Sequence, residues 1–230
     1  MSIRLSLLII ITSVSTLFFS SSDNLKTEWS KLISKARIKS TKGYYFNGID
    51  KFGEIQKSDL DLIMVSTYND KNKPVEEVVY ESSGSIVFKN TYGYDSKGNM
   101  IEFKRYTSTG NLLYRDLNVS PIKNKTIEYN SISGDGKLLP KYICKIDENG
   151  NPFEKTYFQA EGEFDYKELI RYNENGDMIE LISISSDNKV EYSVNYKYLK
   201  YDKEGNWLIM TVKGPTNKFI EREIEYYPKE

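Results

Sequence analysis

The sequence predicts an all-β chain: an antiparallel β-meander of 26-residue hairpin repeats forming a long twisted or curled sheet, with one N-terminal helix. Two series of turn residues and an alternation predict it. Gly84, Gly110, Gly136 and Gly162 stand 26 residues apart, and Asn188 continues the series. Asn72, Gly98, Asn124, Gly150 and Gly176 form a second series of the same period, interleaved with the first at spacings of 14 and 12. Each repeat is therefore two strands and two turns. At the end of the chain Ile220, Arg222, Ile224 and Tyr226 alternate with Glu221, Glu223, Glu225 and Tyr227 at a period of two, as in a half-covered strand.

The chain opens on an address. Met1 to Arg4 is short and positive, and Leu5 to Phe19 is largely apolar. Ser20-Ser21-Ser22 then supplies the small residues a signal peptidase needs, which predicts a signal peptide over 1–22, cut after Ser22. The apolar run is shorter than the roughly 20 residues that span a bilayer. The expected location is secreted or periplasmic, with no membrane span after cleavage. Residues 23–57 are expected to form an N-terminal helix and an irregular cap. Leu25, Trp29, Leu32, Ile33 and Ala36 fall on one helical face, and Gly43, Gly48 and Gly53 punctuate Tyr44-Tyr45-Phe46 outside the period. Residues 58–230 are the repeat domain.

Turn chemistry is uniform there. Asp95-Ser96-Lys97-Gly98 and Thr107-Ser108-Thr109-Gly110 each fit a type I turn closed by a left-handed glycine. Asn69, Asp95, Asp147, Asn173 and Asp202 stand three residues before the turn glycine or its equivalent, where a short side chain bonds back to turn amides. Those acids read as turn caps, not metal ligands. Gly205 arrives three residues late, which predicts a bulge or a longer strand near Lys197 to Tyr201. This loop type pairs Tyr94 with Met100, Tyr106 with Leu112, Tyr172 with Met178 and Tyr201 with Trp207. Continued without interruption, it also pairs Tyr92 with Glu102, Phe88 with Tyr106, Lys104 with Tyr114, Glu102 with Asp116 and Glu154 with Glu168.

Several columns repeat with the turns. Val75, Ile101, Ile127, Phe153 and Ile179 are apolar, Glu76, Glu102, Glu128, Glu154 and Glu180 acidic, and Lys89, Arg115, Lys141 and Lys167 basic. Regular charged columns describe a solvated face. On the last strand Ile220, Arg222, Ile224 and Tyr226 alternate with Glu221, Glu223 and Glu225. This sheet is expected to stay open, its last edge guarded by those glutamates and its first covered by the helix. Tyr94-Asp95-Ser96-Lys97-Gly98-Asn99 and Tyr201-Asp202-Lys203-Glu204-Gly205-Asn206-Trp207 resemble the tyrosine-aspartate (YD) repeats of RHS type, and in particular short secreted YD-repeat proteins of Bacteroidota-type bacteria. The resemblance covers about residues 60 to 227. Large RHS proteins build a closed β shell; this chain looks too short for one, and the family supplies no catalytic residues.

Composition narrows function. There is no histidine, which removes Ser-His-Asp and Cys-His triads and histidine-ligated metals. One cysteine, Cys144, excludes an internal disulfide, and it reads as structural. Thirty-two basic against 33 acidic residues leave no excess for a phosphate backbone, so nucleic acid is not an expected partner. No cofactor, metal or catalytic set is expected. The reading is a non-catalytic secreted or cell-envelope protein, binding a protein or carbohydrate partner through tyrosines and carboxylates. Candidate ligand-binding residues are Tyr92, Tyr114, Glu102, Asp116, Tyr166, Glu154 and Glu168. The alternatives are an immunity or assembly factor for a secreted protein, or a glycoside hydrolase built on paired carboxylates.

Overall fold

The computed structural model describes residues 37–228, apart from 97, 99, 120–124 and 149, with no side chains described for 117–119. These residues form fourteen strands and no helix: β1 (Ile38–Lys51), β2 (Glu54–Tyr68), β3 (Pro74–Glu81), β4 (Ile86–Tyr94), β5 (Met100–Thr107), β6 (Leu112–Val119), β7 (Thr126–Ser133), β8 (Tyr142–Ile146), β9 (Pro152–Phe158), β10 (Phe164–Tyr172), β11 (Met178–Ser185), β12 (Val190–Tyr201), β13 (Trp207–Lys213) and β14 (Lys218–Tyr226). Each strand pairs antiparallel with its sequence neighbours, and β1 pairs with β14. The meander is therefore a closed barrel. This corrects the expected open, long twisted or curled sheet and its two free edges. The expected helix over residues 24–36 lies outside the described residues.

Closure comes from the segment that carries no period. β1 and β2 are the longest strands, and β1 hydrogen-bonds along both sides. Residues 38–57 thus belong to the barrel wall. Gly48 marks a close approach: its N–H donates to Asn217 O at 3.0 Å, and a Cβ there would lie 2.5 Å from Ile55 Cγ2. Glu221, Glu223 and Glu225 do not guard an edge. Glu221 meets Lys57 at 2.6 Å, Glu225 meets Lys39 at 2.8 Å, and Tyr44 donates to Glu223 at 3.3 Å, all across the seam region.

The turns take the expected form. Gly84, Gly98, Gly110, Gly136, Gly150, Gly162, Gly176 and Gly205 all have φ between 80° and 90°, and Asn72 and Asn188 fill the same role at 58° and 62°. The pairs Tyr94–Met100, Tyr106–Leu112, Tyr172–Met178 and Tyr201–Trp207 sit beside their turns. One step further the register shifts. Gly93, not Tyr92, faces Glu102; Tyr92 faces Phe103; Lys89, not Phe88, faces Tyr106; Lys104 faces Arg115. The same shift follows Tyr68, Ile146 and Arg171, so Val75, Ile101, Phe153 and Ile179 are each the extra residue of a two-against-one bulge. A one-residue shift exchanges the faces of everything after it. The apolar column is thereby pushed outward, with Ile101 61% exposed. Ile127 is the exception: it faces Cys144 and is buried. A second shift between Tyr198 and Lys200 absorbs the late arrival of Gly205.

The outer wall then carries the charge columns. Glu76 meets Lys89 at 2.5 Å, Glu102 meets Lys104 at 2.6 Å, Glu154 meets Lys145 at 2.7 Å and Glu180 meets Arg171 at 3.0 Å. Such exposed pairs are each worth roughly 0–1 kcal/mol, so they describe a wet surface more than they stabilise it. The inner wall holds an apolar cluster over Tyr45, Val79, Phe88, Ile170, Met178, Leu181, Val194, Tyr196, Met210, Val212 and Ile220, and a smaller one over Ile127, Tyr129, Cys144 and Ile146. Burial pushes the Cys144 thiol up to about 11, which suits a packing residue.

The tyrosine before the turn has a second task besides pairing across it. Tyr94 Oη donates to Pro74 O at 2.8 Å and Tyr172 Oη to Pro152 O at 2.8 Å; Tyr198, three residues before Tyr201, makes the equivalent bond to Met178 O at 3.0 Å. Each ties the end of one strand to the start of the strand before it, 20 residues back.

The bulge can be tested by length. Ile179→Ser keeps the bulge and should change stability by no more than about 0.5 kcal/mol, because the side chain is partly exposed. Deleting Ile179 removes the bulge, so Glu180 would turn inward and Leu181 outward. We expect that variant not to fold, as read by far-UV circular dichroism and the melting transition.

Candidate functional site

The shifted register places a belt of polar side chains on the inner wall. Successive cross-strand partners run Thr41–Ser66–Glu77–Asn90–Arg105 from β1 to β5. All five are buried. Asn90 Nδ2 donates to Glu77 Oε1 at 2.9 Å, and Arg105 Nε donates to Asn90 Oδ1 at 2.8 Å. The Arg105 guanidinium lies 4.3 Å from the Phe88 ring centroid and 5.4 Å from that of Tyr114. Buried charges need this kind of satisfaction, because an unpaired one costs several kcal/mol.

On the opposite wall the belt becomes aromatic. Tyr129, Tyr142, Tyr157 and Tyr166 are consecutive cross-strand partners on β7 to β10, stacked at centroid distances of 4.4, 5.4 and 4.4 Å. Tyr157 Oη donates to Glu168 Oε2 at 3.0 Å. Glu168 is 1% exposed, and its Oε1 has no hydrogen-bond partner among the described residues.

The seven candidate residues divide between the two faces. Tyr92, Tyr114, Asp116, Tyr166 and Glu168 face the interior. Tyr92 packs its ring 5.3 Å from Phe103, which in turn lies 5.7 Å from Tyr114. Ser131 Oγ donates to Asp116 at 2.6 Å; burial lifts the Asp116 carboxyl above its ordinary range, against that bond and the nearby Arg105 charge. Glu102 and Glu154 are on the outer wall in the ion pairs described above. The expected carboxylate pairs are therefore not formed: Glu154 faces Leu169, Glu168 faces Lys155, and Asp116 faces Ser131. The bulges separate each pair onto opposite faces.

A small recess, with a cavity volume of about 40 Å³ and open to solvent, lies between β1, β2, β3, β13 and β14. Tyr45, Tyr68 and Trp207 give it aromatic surface; Thr41, Ser66 and Glu77 give it acceptors and donors; Arg222 enters from β14. Gly43 also lines it, and a Cβ at that position would come 3.1 Å from the Tyr45 ring. Arg222 is firmly placed. Its Nε donates to Trp207 O at 3.0 Å, and its guanidinium carbon sits 3.8 Å above the centroid of the Trp207 ring. Burial pulls its pKa below the ordinary arginine range, against the charge of nearby tyrosines and Asp202. Asp202 itself accepts from Tyr226 Oη and from the amides of Glu204 and Asn206.

None of these recess residues was among the sequence candidates. The signal that could have found Arg222 was visible: it is the one cation on the otherwise apolar face of the Ile220-to-Tyr226 alternation. Glu77, Asn90, Arg105 and Lys155 carried no such signal, because their inward direction depends on the bulges.

No family model matches the chain, and no curated protein matches it. Among solved structures it is similar to a porin-like protein from Bacteroides uniformis, at 10% identity over 82% of this chain and 96% of that one, with a TM-score of 0.46. A DUF1329 family protein from Desulfovibrio piger matches at 10% identity over 88% and 90% of the two chains, TM-score 0.35. The Tc holotoxin pore of Photorhabdus luminescens matches at 12% identity over 76% of this chain and 12% of that one, TM-score 0.26. None of these likenesses bears on the chemistry of the recess.

Interior tyrosines make the fold sensitive to alkali. Burial, with Glu168 adding to it, pushes Tyr192 up to about 12, and burial with the bond to Asp202 does the same for Tyr226. Tyr142 and Tyr157 are raised well above the ordinary value, by burial first. Their folded pKa values exceed the unfolded value near 10, so their contribution is intact below about pH 10 and is lost as pH rises toward the folded values. Phenolate absorbance should therefore appear together with loss of the β signal above about pH 10.5. Full phenolate ionisation with an intact barrel would contradict the interior placement of the tyrosines.

Proposed function

We propose that this chain is a non-catalytic carbohydrate-binding barrel of the bacterial cell envelope or its exterior, related to the YD-repeat proteins its turns resemble. The observation that carries the reading is the recess. Tyr68 and Trp207 offer apolar ring surface beside Thr41, Ser66, Glu77 and Arg222. Sugars present apolar C–H faces flanked by hydroxyls, and aromatic rings with fixed polar groups at their edges match both. The outer wall supports an aqueous setting. Its ion pairs would sit in hydrocarbon if the barrel spanned a bilayer, at about 2–4 kcal/mol for each midplane lysine or arginine. The leader-like residues 1–22 support export. A non-catalytic role is favoured by the separation of Glu102 from Asp116 and of Glu154 from Glu168, which leaves neither pair facing one substrate.

Trp207 supplies its own reporter. The chain has two tryptophans, so Trp29→Phe leaves Trp207 as the single emitter. Titrating that variant, started at Asp23, with a panel of neutral and acidic oligosaccharides should give saturable changes in emission for at least one class. Gly43→Val should abolish them, because the new side chain fills the recess against the Tyr45 ring. A panel without any saturable response, checked by calorimetry, would overturn the reading.

A further inference from the structure

We infer that the recess selects an acidic saccharide, with Arg222 taking the sugar carboxylate; this rests on the saccharide reading of the same site. The guanidinium is oriented before any ligand arrives. Its Nε is committed to Trp207 O and one of its faces to the Trp207 ring. Arg222 lines the recess, and its two terminal nitrogens have no hydrogen-bond acceptor among the described residues. The carboxylate whose charge it feels, Asp202, forms no ion pair with it and is already occupied by Tyr226 Oη and two turn amides. A planar fork of N–H groups held in this way matches a carboxylate in two parallel bonds, and such charge-assisted bonds are about twice as strong as neutral ones.

The other end of the recess has the opposite character. Glu77 lines it, fully buried and already accepting from Asn90. A second negative group would be repelled there, whereas a hydroxyl could be accepted. Thr41 and Ser66 lie between the two ends and can accept or donate. The recess is therefore polar along its length, with the carboxylate toward Arg222 and hydroxyls toward Glu77. A neutral sugar satisfies the hydroxyl half and leaves the fork of Arg222 to water. A polyanion with closely spaced charges would place one of them against Glu77. A uronate-type unit satisfies both ends.

The test compares trigalacturonate with the matching neutral galactose trimer on the Trp29→Phe chain, by Trp207 emission and calorimetry. The acidic trimer should bind at least about tenfold more tightly, the ratio one charge-assisted pair supplies. In Arg222→Gln the ratio between the two probes should collapse toward one. Arg222→Lys, which keeps the charge but loses the fork, should retain only part of it. Equal affinity of the two trimers for the unsubstituted protein would overturn the carboxylate inference and leave the saccharide reading standing. Binding of neither trimer, with no response to the wider panel, would overturn both. Should Arg222→Gln fail to fold, the comparison on the unsubstituted protein still decides.

Discussion

The two-against-one bulge after each turn is the constraint on which the rest of this barrel depends. A three-residue turn with a left-handed glycine would, on its own, bring Tyr92 opposite Glu102 and Glu154 opposite Glu168. The extra residue at Val75, Ile101, Phe153 and Ile179, and at Asp165 after the β9–β10 turn, moves each returning strand by one position. The glutamate column then faces water with its lysines, and Phe103, Arg105, Lys155 and Leu181 face inward. The added residue also increases the local twist of each hairpin, which favours curling of the sheet toward closure. Charge distribution, closure and interior chemistry thus share one local cause.

Closure has its own consequence for the interior. A barrel wall of fourteen strands encloses more than an apolar core, and much of its inner surface is polar. Glu77, Asn90 and Arg105 satisfy one another as a chain of hydrogen bonds, and two aromatic rings cover the guanidinium. Polar chains of this kind rigidify when complete and are costly when broken. The tyrosine ladder from Tyr129 to Tyr166 fills the facing wall with rings whose polar tips reach toward groups such as Glu168. The recess at Arg222 shares Thr41, Ser66 and Glu77 with the polar belt and lies beside the seam where β14 meets β1.

How much of this was legible follows from what repeats. The turns, the strands from Pro74 onward and the antiparallel order were written in the 26-residue spacing of glycines and in the tyrosine before Asn69, Asp95, Asn173 and Asp202. The bulge was not, because an apolar residue at Ile101 or Ile179 looks like an ordinary inward strand position. That misreading carried Glu102 and Glu154 to the wrong face and paired them with Asp116 and Glu168. Closure was also hidden. β1 pairs with β2 through two register shifts whose extra residues lie on β2, and it ends on a turn of Phe52 and Gly53, so it shows neither the period nor the usual turn residues. The acidic alternation at Glu221, Glu223 and Glu225 correctly marked a solvent face, but a strand with a partner on each side has such a face too.

The central claim, that the bulges set the register of a closed barrel, is tested most directly by cross-strand backbone NOEs in the isotope-labelled chain from Asp23. The account predicts contacts of Tyr92 with Phe103, of Glu168 with Lys155, and of Thr41 with Ile224 across the seam. Contacts of Tyr92 with Glu102 and of Glu168 with Glu154, or no contact between β1 and β14, would contradict it.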